Sequence, residues 1–153
     1  MTTLIPPNIS ELLLKSEVTP LILKGKIVLP IVQGGMGVGV SAHKLAGAVA
    51  KAGGVGTISS IDLRRLHPDL MEQTQHLKPC SESRDLINVA NIEALRREIR
   101  LAKEESQGSG LVAVNVMKAV SEYAQYVKCS LENGADMIVV GAGLPLDLPD
   151  LAS

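Results

Sequence analysis

The sequence is poor in aromatic residues and in cysteine. Among its 153 residues there is no tryptophan and no phenylalanine, and the two tyrosines are Tyr123 and Tyr126. This shortage argues against a stacking platform for single-stranded nucleic acid. Cys80 and Cys129 lie far apart, without a CxxC pair or a histidine at metal-ligand spacing. They predict a reducing compartment, ordinary packing roles and no metal site.

The chain also lacks an excess of charge and a long apolar run. It has 15 basic and 16 acidic residues and a formal net charge of −1, so no basic field attracts nucleic acid or anionic lipid. No stretch reaches the roughly 18 apolar residues of a membrane span, and residues 1–5 lack the features of a signal peptide. We therefore expect a cytoplasmic protein with neither a nucleic-acid nor a membrane partner.

The size and the apolar content of the chain predict one hydrophobic core. Apolar residues make up 46% of the sequence, which is enough for one α/β domain over residues 1–153, or for part of one.

Residues 29–40, with the sequence LPIVQGGMGVGV, join an apolar run to a glycine-rich loop. The branched residues of positions 27–32 predict a strand buried on both faces, as in a parallel sheet, and a small hairpin around Gly25 precedes it. Glycines then stand at positions 34, 35, 37 and 39. Because they remove side chains at the carboxyl end of a strand, they favour close approach of a flat or anionic ligand.

The rest of the chain alternates between strand and helix patterns. Further strands are predicted at 55–59, 111–117 and 137–140, and the last of them runs into Gly141, Ala142 and Gly143. Helices are predicted at 9–15 (cap Asn8 or Ser10), 42–52 (cap Ser41), 92–105 (cap Asn91) and from Ser121 through 132. The mixed charges of the third of these, Glu98 among them, predict a solvated surface. Residues 61–91 show no sustained period and predict a long loop or lid, and the end of the chain predicts a proline-interrupted loop.

Alternating strands and helices specify parallel strands joined by crossovers. Two folds then remain, the doubly wound sheet and the (β/α)₈ TIM barrel, of which this chain would supply about four of eight βα units. Residues 37–42 fit the dinucleotide pattern GxGxxG/A, and Asp62 follows about 20 residues later, as in a Rossmann NAD-binding domain. Two observations weigh against that alternative: four residues separate the strand from the pattern, and Pro30 interrupts what would be a central strand.

Four segments carry a resemblance to a known family. They are LPIVQGGMGVGVS, the following LAGAVAKAGGVGTIS, VNVM at 114–117 and ENGADMIVVGAGLPLDLP at 132–149. Together, over about residues 21–150, the chain resembles the nitronate monooxygenases, formerly called 2-nitropropane dioxygenases, a family that includes FMN-dependent enoyl-[acyl-carrier-protein] reductases. The resemblance implies a (β/α)₈ barrel with FMN over the carboxyl ends of its strands.

The resemblance also implies a set of cofactor-binding residues. The backbone of Gly34, Gly35 and Met36 would lie against the flavin ring, where a thioether is a soft and adaptable contact. The amide of Asn115 would hydrogen-bond the flavin or its ribityl chain. Room beside the cofactor would come from a last segment, formed by Gly141, Ala142 and Gly143.

No catalytic residue is expected among these 153 positions. In the family, a histidine after the GAGLP segment acts as the base, and it is expected beyond Ser153. His43, His67 and His76 do not match that position and are interpreted as surface histidines. We therefore expect the amino-terminal half of an FMN-dependent oxidoreductase that converts nitronates to a carbonyl compound and nitrite with O₂.

Three alternatives to nitronate oxidation remain open at this stage. The first is enoyl reduction, in which hydride passes from NAD(P)H through FMN to an enoyl thioester. The second is a non-enzymatic, truncated half-barrel that self-associates through its open sheet edges. The third is the Rossmann NAD-binding domain. Because half a barrel lacks the family histidine, we expect the isolated chain to oxidise nitronates little or not at all.

Overall fold

The computed structural model describes residues 7–78 and 80–152 and shows a mixed α/β fold. The strands are β1 (Leu21–Leu23), β2 (Lys26–Val28), β3 (Val55–Ser59), β4 (Leu111–Met117) and β5 (Met137–Gly141). The helices are α1 (Pro7–Ser16), α2 (His43–Lys51), α3 (Pro68–Thr74), α4 (Ser81–Ser106), α5 (Tyr123–Glu132) and α6 (Leu148–Ala152), with a 3₁₀ helix at Leu63–Leu66. The three predicted strands after the glycine loop are confirmed within one residue, and so is the hairpin of β1 and β2 around Gly25.

Strands β3, β4 and β5 form a parallel sheet in the order of the chain. Asn115 of β4 lies between Ser59 of β3 and Val139 of β5. On the far side of β3, Val32 forms a single parallel bridge with Val55. Each strand therefore lies beside the one before it, as around a barrel wall, whereas in a Rossmann sheet of order 3-2-1-4-5-6 the fourth strand lies beside the first. This order disagrees with the Rossmann alternative, although the described residues do not close a barrel.

The two faces of the sheet pack against different parts of the chain. On one face, Val112, Val114 and Val116 of β4 join the core formed with the helices. Residues of the opposite parity, Leu111 and Ala113, belong to a second cluster with Val28 of the hairpin and Val55. Asn115 and Met117 share the parity of this second cluster, so they lie on the face turned away from the helices.

The predicted first strand differs from the expectation. Residues 26–28 pair with β1 as the second arm of the hairpin, and only residues 31–33 continue beside β3. Ile31 and Val32 are more than half exposed, so the prediction of a strand buried on both faces is wrong there. The physical reason is that Pro30 separates the two parts, and the described chain places no strand on the outer side of residues 31–33.

Residues 61–91 are largely helical, which corrects the prediction of a long loop. They contain the 3₁₀ helix, α3 and the first turns of α4, which begins at Ser81 after Cys80 as its N-cap. Asn91 is therefore inside α4, where its side-chain oxygen accepts the backbone N–H of Arg64 at 3.2 Å. The apolar period is missing because this part of α4 buries small or polar residues, Ser83, Ala90 and Asn91 among them.

Several smaller predictions can also be compared with the structure. Ser121 is not the cap of α5, which follows Glu122 without a side-chain cap, and α6 replaces part of the predicted terminal loop. The predicted caps of α1, Asn8 and Ser10, concern side chains outside the described part of the chain. Both cysteines are free thiols: Cys129 is buried, as expected of a packing residue, whereas Cys80 is exposed.

Candidate functional site

The glycine loop, residues 34–40, leaves the sheet directly after Gln33. Before that point the pairing is regular, since Val55 donates its N–H to the carbonyl of Ile31 and accepts the N–H of Gln33, both at 2.9 Å. At the next position the N–H of Thr57 donates to the side-chain Oε1 of Gln33, also at 2.9 Å. The main chain thus departs from β3 while the side chain of Gln33 keeps contact with it.

Ser41 holds the other end of this loop. Its side chain is completely buried, and its Oγ accepts the backbone N–H of Met36 at 2.8 Å and the Nε2 of Gln33 at 3.0 Å. Its carbonyl accepts the N–H of Ser59 at 2.9 Å. The prediction that Ser41 caps α2 is therefore wrong: Ala42 is the N-cap residue and makes no side-chain cap bond.

The first turn of α2 is instead capped by Glu98 of α4. Its Oε2 accepts the backbone N–H of His43 at 2.7 Å and lies 2.8 Å from Nδ1 of the same residue. Its Oε1 lies 3.1 Å from Nε2 of His67. A carboxylate is favourable at a helix N-terminus because the free N–H groups carry partial positive charge.

This cluster corrects two predictions about charged residues. The side chain of Glu98 is 1% exposed, so this part of α4 is not a solvated surface. His67 is mostly buried and His43 is partly buried against Glu98, whereas His76 is exposed, as predicted. The cluster joins α2 to α4 and so fixes the start of α2, the helix that follows the glycine loop.

Gly35 brings the glycine loop onto Asn115. A Cβ added at Gly35 would lie 2.8 Å from Cβ and 2.9 Å from Nδ2 of Asn115, so the bare backbone packs directly on this side chain. Asn115 is half-buried, and its carbonyl accepts the N–H of Ser60 at 3.1 Å. Two of the predicted cofactor-binding segments, far apart in sequence, are thus in contact at the carboxyl end of the sheet.

The third predicted segment begins at the last residue of β5. Gly141 pairs with Met117 at the end of the ladder, and its carbonyl accepts the N–H of Lys118 at 2.8 Å. Ala142 and Gly143 both have positive φ, 56° and 144°, so the chain turns sharply away from the sheet here. A Cβ at Gly143 would lie 2.9 Å from Cγ of Lys118.

Lys118 fixes the segment that follows this turn. Its Nζ donates to the two carboxylate oxygens of Asp147 at 2.6 and 2.7 Å and lies 4.1 Å from the ring centre of Tyr123. The hydrogen bond from Lys118 lowers the pKa of Asp147 below its ordinary value. The ion pair therefore stays formed at neutral pH.

The carboxyl end of the sheet is open and apolar around these segments. A Cβ added at Gly34, Gly37 or Gly141 would meet nothing within 4 Å. Met36 is 45% exposed and Met117 38% exposed. Bare backbone, two thioethers and one amide therefore share this end of the sheet, a combination that suits a flat heteroaromatic ligand with polar edges.

Sequence reasoning missed several residues that build this end of the sheet: Gln33, Ser41, Lys118 and Asp147. Only Gln33 carried a signal, because it is a polar residue placed between an apolar run and two glycines. The partners of the others are set by the turns of the chain in three dimensions. Within the part of the chain that the structure describes, no group of three or more His, Cys, Asp or Glu side chains could hold a metal ion.

Comparison with known proteins agrees with this geometry. The family model described as nitronate monooxygenase matches residues 19–149, a range that includes the glycine loop, Asn115 and the segment after β5. No curated protein matches the chain. Among residues 7–78 and 80–152, no helix has the length and the apolar character needed to cross a membrane. Since the family match covers most of the sequence, the chain belongs to the nitronate monooxygenase family.

Proposed function

We propose that this chain forms the FMN-binding part of an oxidoreductase of the nitronate monooxygenase type. The family supports a flavin-dependent oxidoreductase. The observation that carries the proposal is the contact of Gly35 with Asn115, because it joins bare backbone to an amide at the carboxyl end of the sheet. In barrels built from parallel strands, ligands bind at that end.

Each segment has a distinct role in holding FMN. The backbone of Gly34 and Gly35 and the side chain of Met36 provide a flat contact for the ring, since the glycines place nothing above their main chain. The amide of Asn115 both donates and accepts, as the polar edge of a flavin requires. A third segment leaves space beside the ring through Gly141 and the turn at positions 142 and 143.

Bound FMN would supply the redox chemistry by which a nitronate and O₂ give a carbonyl compound and nitrite. The residues of this chain bind and orient the cofactor and shield one side of it from water. The family resemblance assigns the base to a histidine after the GAGLP segment, and we assign no catalytic residue among positions 1–153.

The proposal is tested by titrating FMN with the full chain and following the quenching of flavin fluorescence. Gly35→Ala is the critical variant, because its Cβ would lie 2.8 Å from Cβ of Asn115 and must push the loop or the strand away. We expect it to weaken FMN binding about tenfold or more. A closely matched control is Gly37→Ala, whose Cβ meets nothing within 4 Å and which keeps the affinity of the unaltered chain.

Two results would contradict the proposal. The first is that the unaltered chain leaves FMN fluorescence unchanged at the highest protein concentration that stays in solution. The second is that the two alanine variants bind FMN equally well.

A further inference from the structure

The hydrogen bond from Thr57 to Gln33 replaces a regular rung of the sheet. In a parallel ladder, the donor after the pair of Val32 and Val55 is the N–H of Thr57, and its acceptor is the main-chain carbonyl of Gln33. The structure places the side-chain Oε1 of Gln33 there instead, at 2.9 Å. The side-chain oxygen of Gln33 thus replaces its own main-chain carbonyl as the acceptor for Thr57.

Because the side chain satisfies Thr57, the main-chain carbonyl of Gln33 need not stay in the ladder, and the chain can leave the sheet at this residue. The Nε2 of Gln33 donates to the carbonyl of Gly34 and to Oγ of Ser41. A primary amide offers both the acceptor that Thr57 needs and the two donors that the loop needs. Among side chains of this length, only glutamine combines them.

Ser41 connects the side chain of Gln33 to the far end of the loop. Its Oγ accepts the N–H of Met36 at 2.8 Å, and its own carbonyl is held by the N–H of Ser59. Both ends of the loop of residues 34–36 are thus tied to β3, one through Gln33 and one through Ser41. Between the two ties, Gly35 lies on Asn115.

We propose that Gln33 is a positioning residue whose side-chain amide sets the direction in which residues 34–36 leave the sheet, and so holds Gly35 on Asn115. Its effect on FMN binding rests on the proposed function above. Its effect on the loop does not, because every contact involved belongs to the chain itself.

The first test measures backbone amide exchange by NMR in the full chain. Gln33→Met keeps the length of the side chain and removes both hydrogen-bonding functions, so exchange at Thr57 and at Met36 should rise about fivefold or more. Gln33→Glu keeps an acceptor for Thr57 but cannot donate to Gly34. It should restore slow exchange at Thr57 while the loop continues to exchange fast.

The control is Gln125→Met, an exposed glutamine on α5 outside this network. It should leave exchange at both amides unchanged. Far-UV circular dichroism of each variant separates a local change in the loop from a loss of the fold. Unchanged exchange at Met36 in a folded Gln33→Met chain overturns the proposal.

The second test measures FMN affinity for the same variants. We expect Gln33→Met to weaken FMN binding about fivefold or more relative to Gln125→Met, together with the faster exchange in the loop. Weaker binding with unchanged exchange would mean that Gln33 contacts the ligand directly, which also overturns the positioning role. If the unaltered chain binds no FMN, the proposed function fails, and the exchange measurements still decide the role of Gln33.

Discussion

The amino end and the carboxyl end of the parallel sheet are built in opposite ways. At the amino end, the hairpin of β1 and β2 covers the strands, and Val28 is completely buried with Val55 and Leu111. At the carboxyl end, glycines and exposed methionines leave the strand tips open. The same three strands are therefore covered by the hairpin at their amino ends and accessible at their carboxyl ends.

Polar contacts also connect the amino end of the sheet to its neighbours. Asp136, just before β5, accepts the N–H of Val112 at 2.9 Å and the Nζ of Lys103 at 2.7 Å. Lys26 of the hairpin donates to the carbonyl of Gly108, just before β4, at 3.3 Å. These contacts join the hairpin and α4 to the starts of neighbouring strands.

From this difference we expect stability and ligand access to depend on opposite ends of the parallel sheet. Substitutions at the amino end should cost free energy of unfolding, whereas substitutions at the carboxyl end should change binding and leave the fold intact. The following four predictions test that separation.

The largest effect is expected for Gly110→Ala at the amino end. The new Cβ would lie 2.3 Å from the carbonyl oxygen of Gly54 and 2.4 Å from that of Ala50, and backbone atoms cannot move aside cheaply. We expect a loss of about 3 kcal/mol in the free energy of unfolding, measured by urea denaturation. Gly141→Ala at the carboxyl end meets nothing within 4 Å and should change it by less than about 0.5 kcal/mol. Equal losses of stability in the two variants would contradict the difference between the two ends of the sheet.

A somewhat smaller loss is expected for Asp136→Ala. The side chain of Asp136 is 9% exposed, and its removal leaves the N–H of Val112 and the ammonium of Lys103 without their acceptor. We expect about 2 kcal/mol of destabilisation by urea denaturation. Asp136→Asn keeps an acceptor oxygen and should lose less. The counterpart at the carboxyl end, Asp147→Ala, should cost less than either, because that carboxylate is half exposed.

A large side chain at the carboxyl end of the sheet should weaken FMN binding without lowering the free energy of unfolding. Gly141→Leu places a large side chain in the open space beside the predicted ring site, on the face of the sheet that carries Asn115 and Met117. We expect FMN binding to weaken about tenfold, with an unchanged urea midpoint, and Gly141→Ala to fall between this variant and the unaltered chain. A leucine variant that binds FMN normally would place the site elsewhere.

The smallest effect concerns pH and the segment after β5. Because Lys118 holds the pKa of Asp147 below its ordinary value, the folded pKa is lower than the unfolded one. The ion pair therefore contributes stability at pH values above the unfolded pKa and loses it as the pH falls through the folded pKa. Lys118→Met should raise the pKa of Asp147, as followed by ¹³C NMR of its carboxyl group, whereas the exposed Lys128→Met should not. An unchanged titration in Lys118→Met would contradict the assigned cause.

The strands could be predicted because their signal is local. The runs at 55–59, 111–117 and 137–140 are apolar, short and bounded by glycine or polar residues, so their extent depends on neighbouring residues alone. Residues 61–91 could not be predicted in the same way. The early turns of α4 bury small and polar side chains such as Ser83 and Asn91, so no apolar period marks them as helical.

The segments of the candidate site could be assigned from the sequence, whereas the residues that connect these segments could not. The glycines and Asn115 were assigned by the family resemblance, and the structure shows that the loop and Asn115 touch. The sequence assigned other roles to Ser41, which holds the loop, and to Glu98, which caps the helix after it: Ser41 was expected to cap a helix, and Glu98 to face solvent. Each instead bonds a group whose proximity the local sequence does not reveal.

The sequence by itself determined where the chain forms its parallel strands and where bare backbone follows them, because both depend on residue types within a few positions. Only the tertiary structure decided what the polar side chains bind. Gln33 and Thr57 are 24 positions apart, and Glu98 and His43 are 55 apart. Buried polar groups take whichever partner folding brings within reach, since an unpaired one would cost free energy.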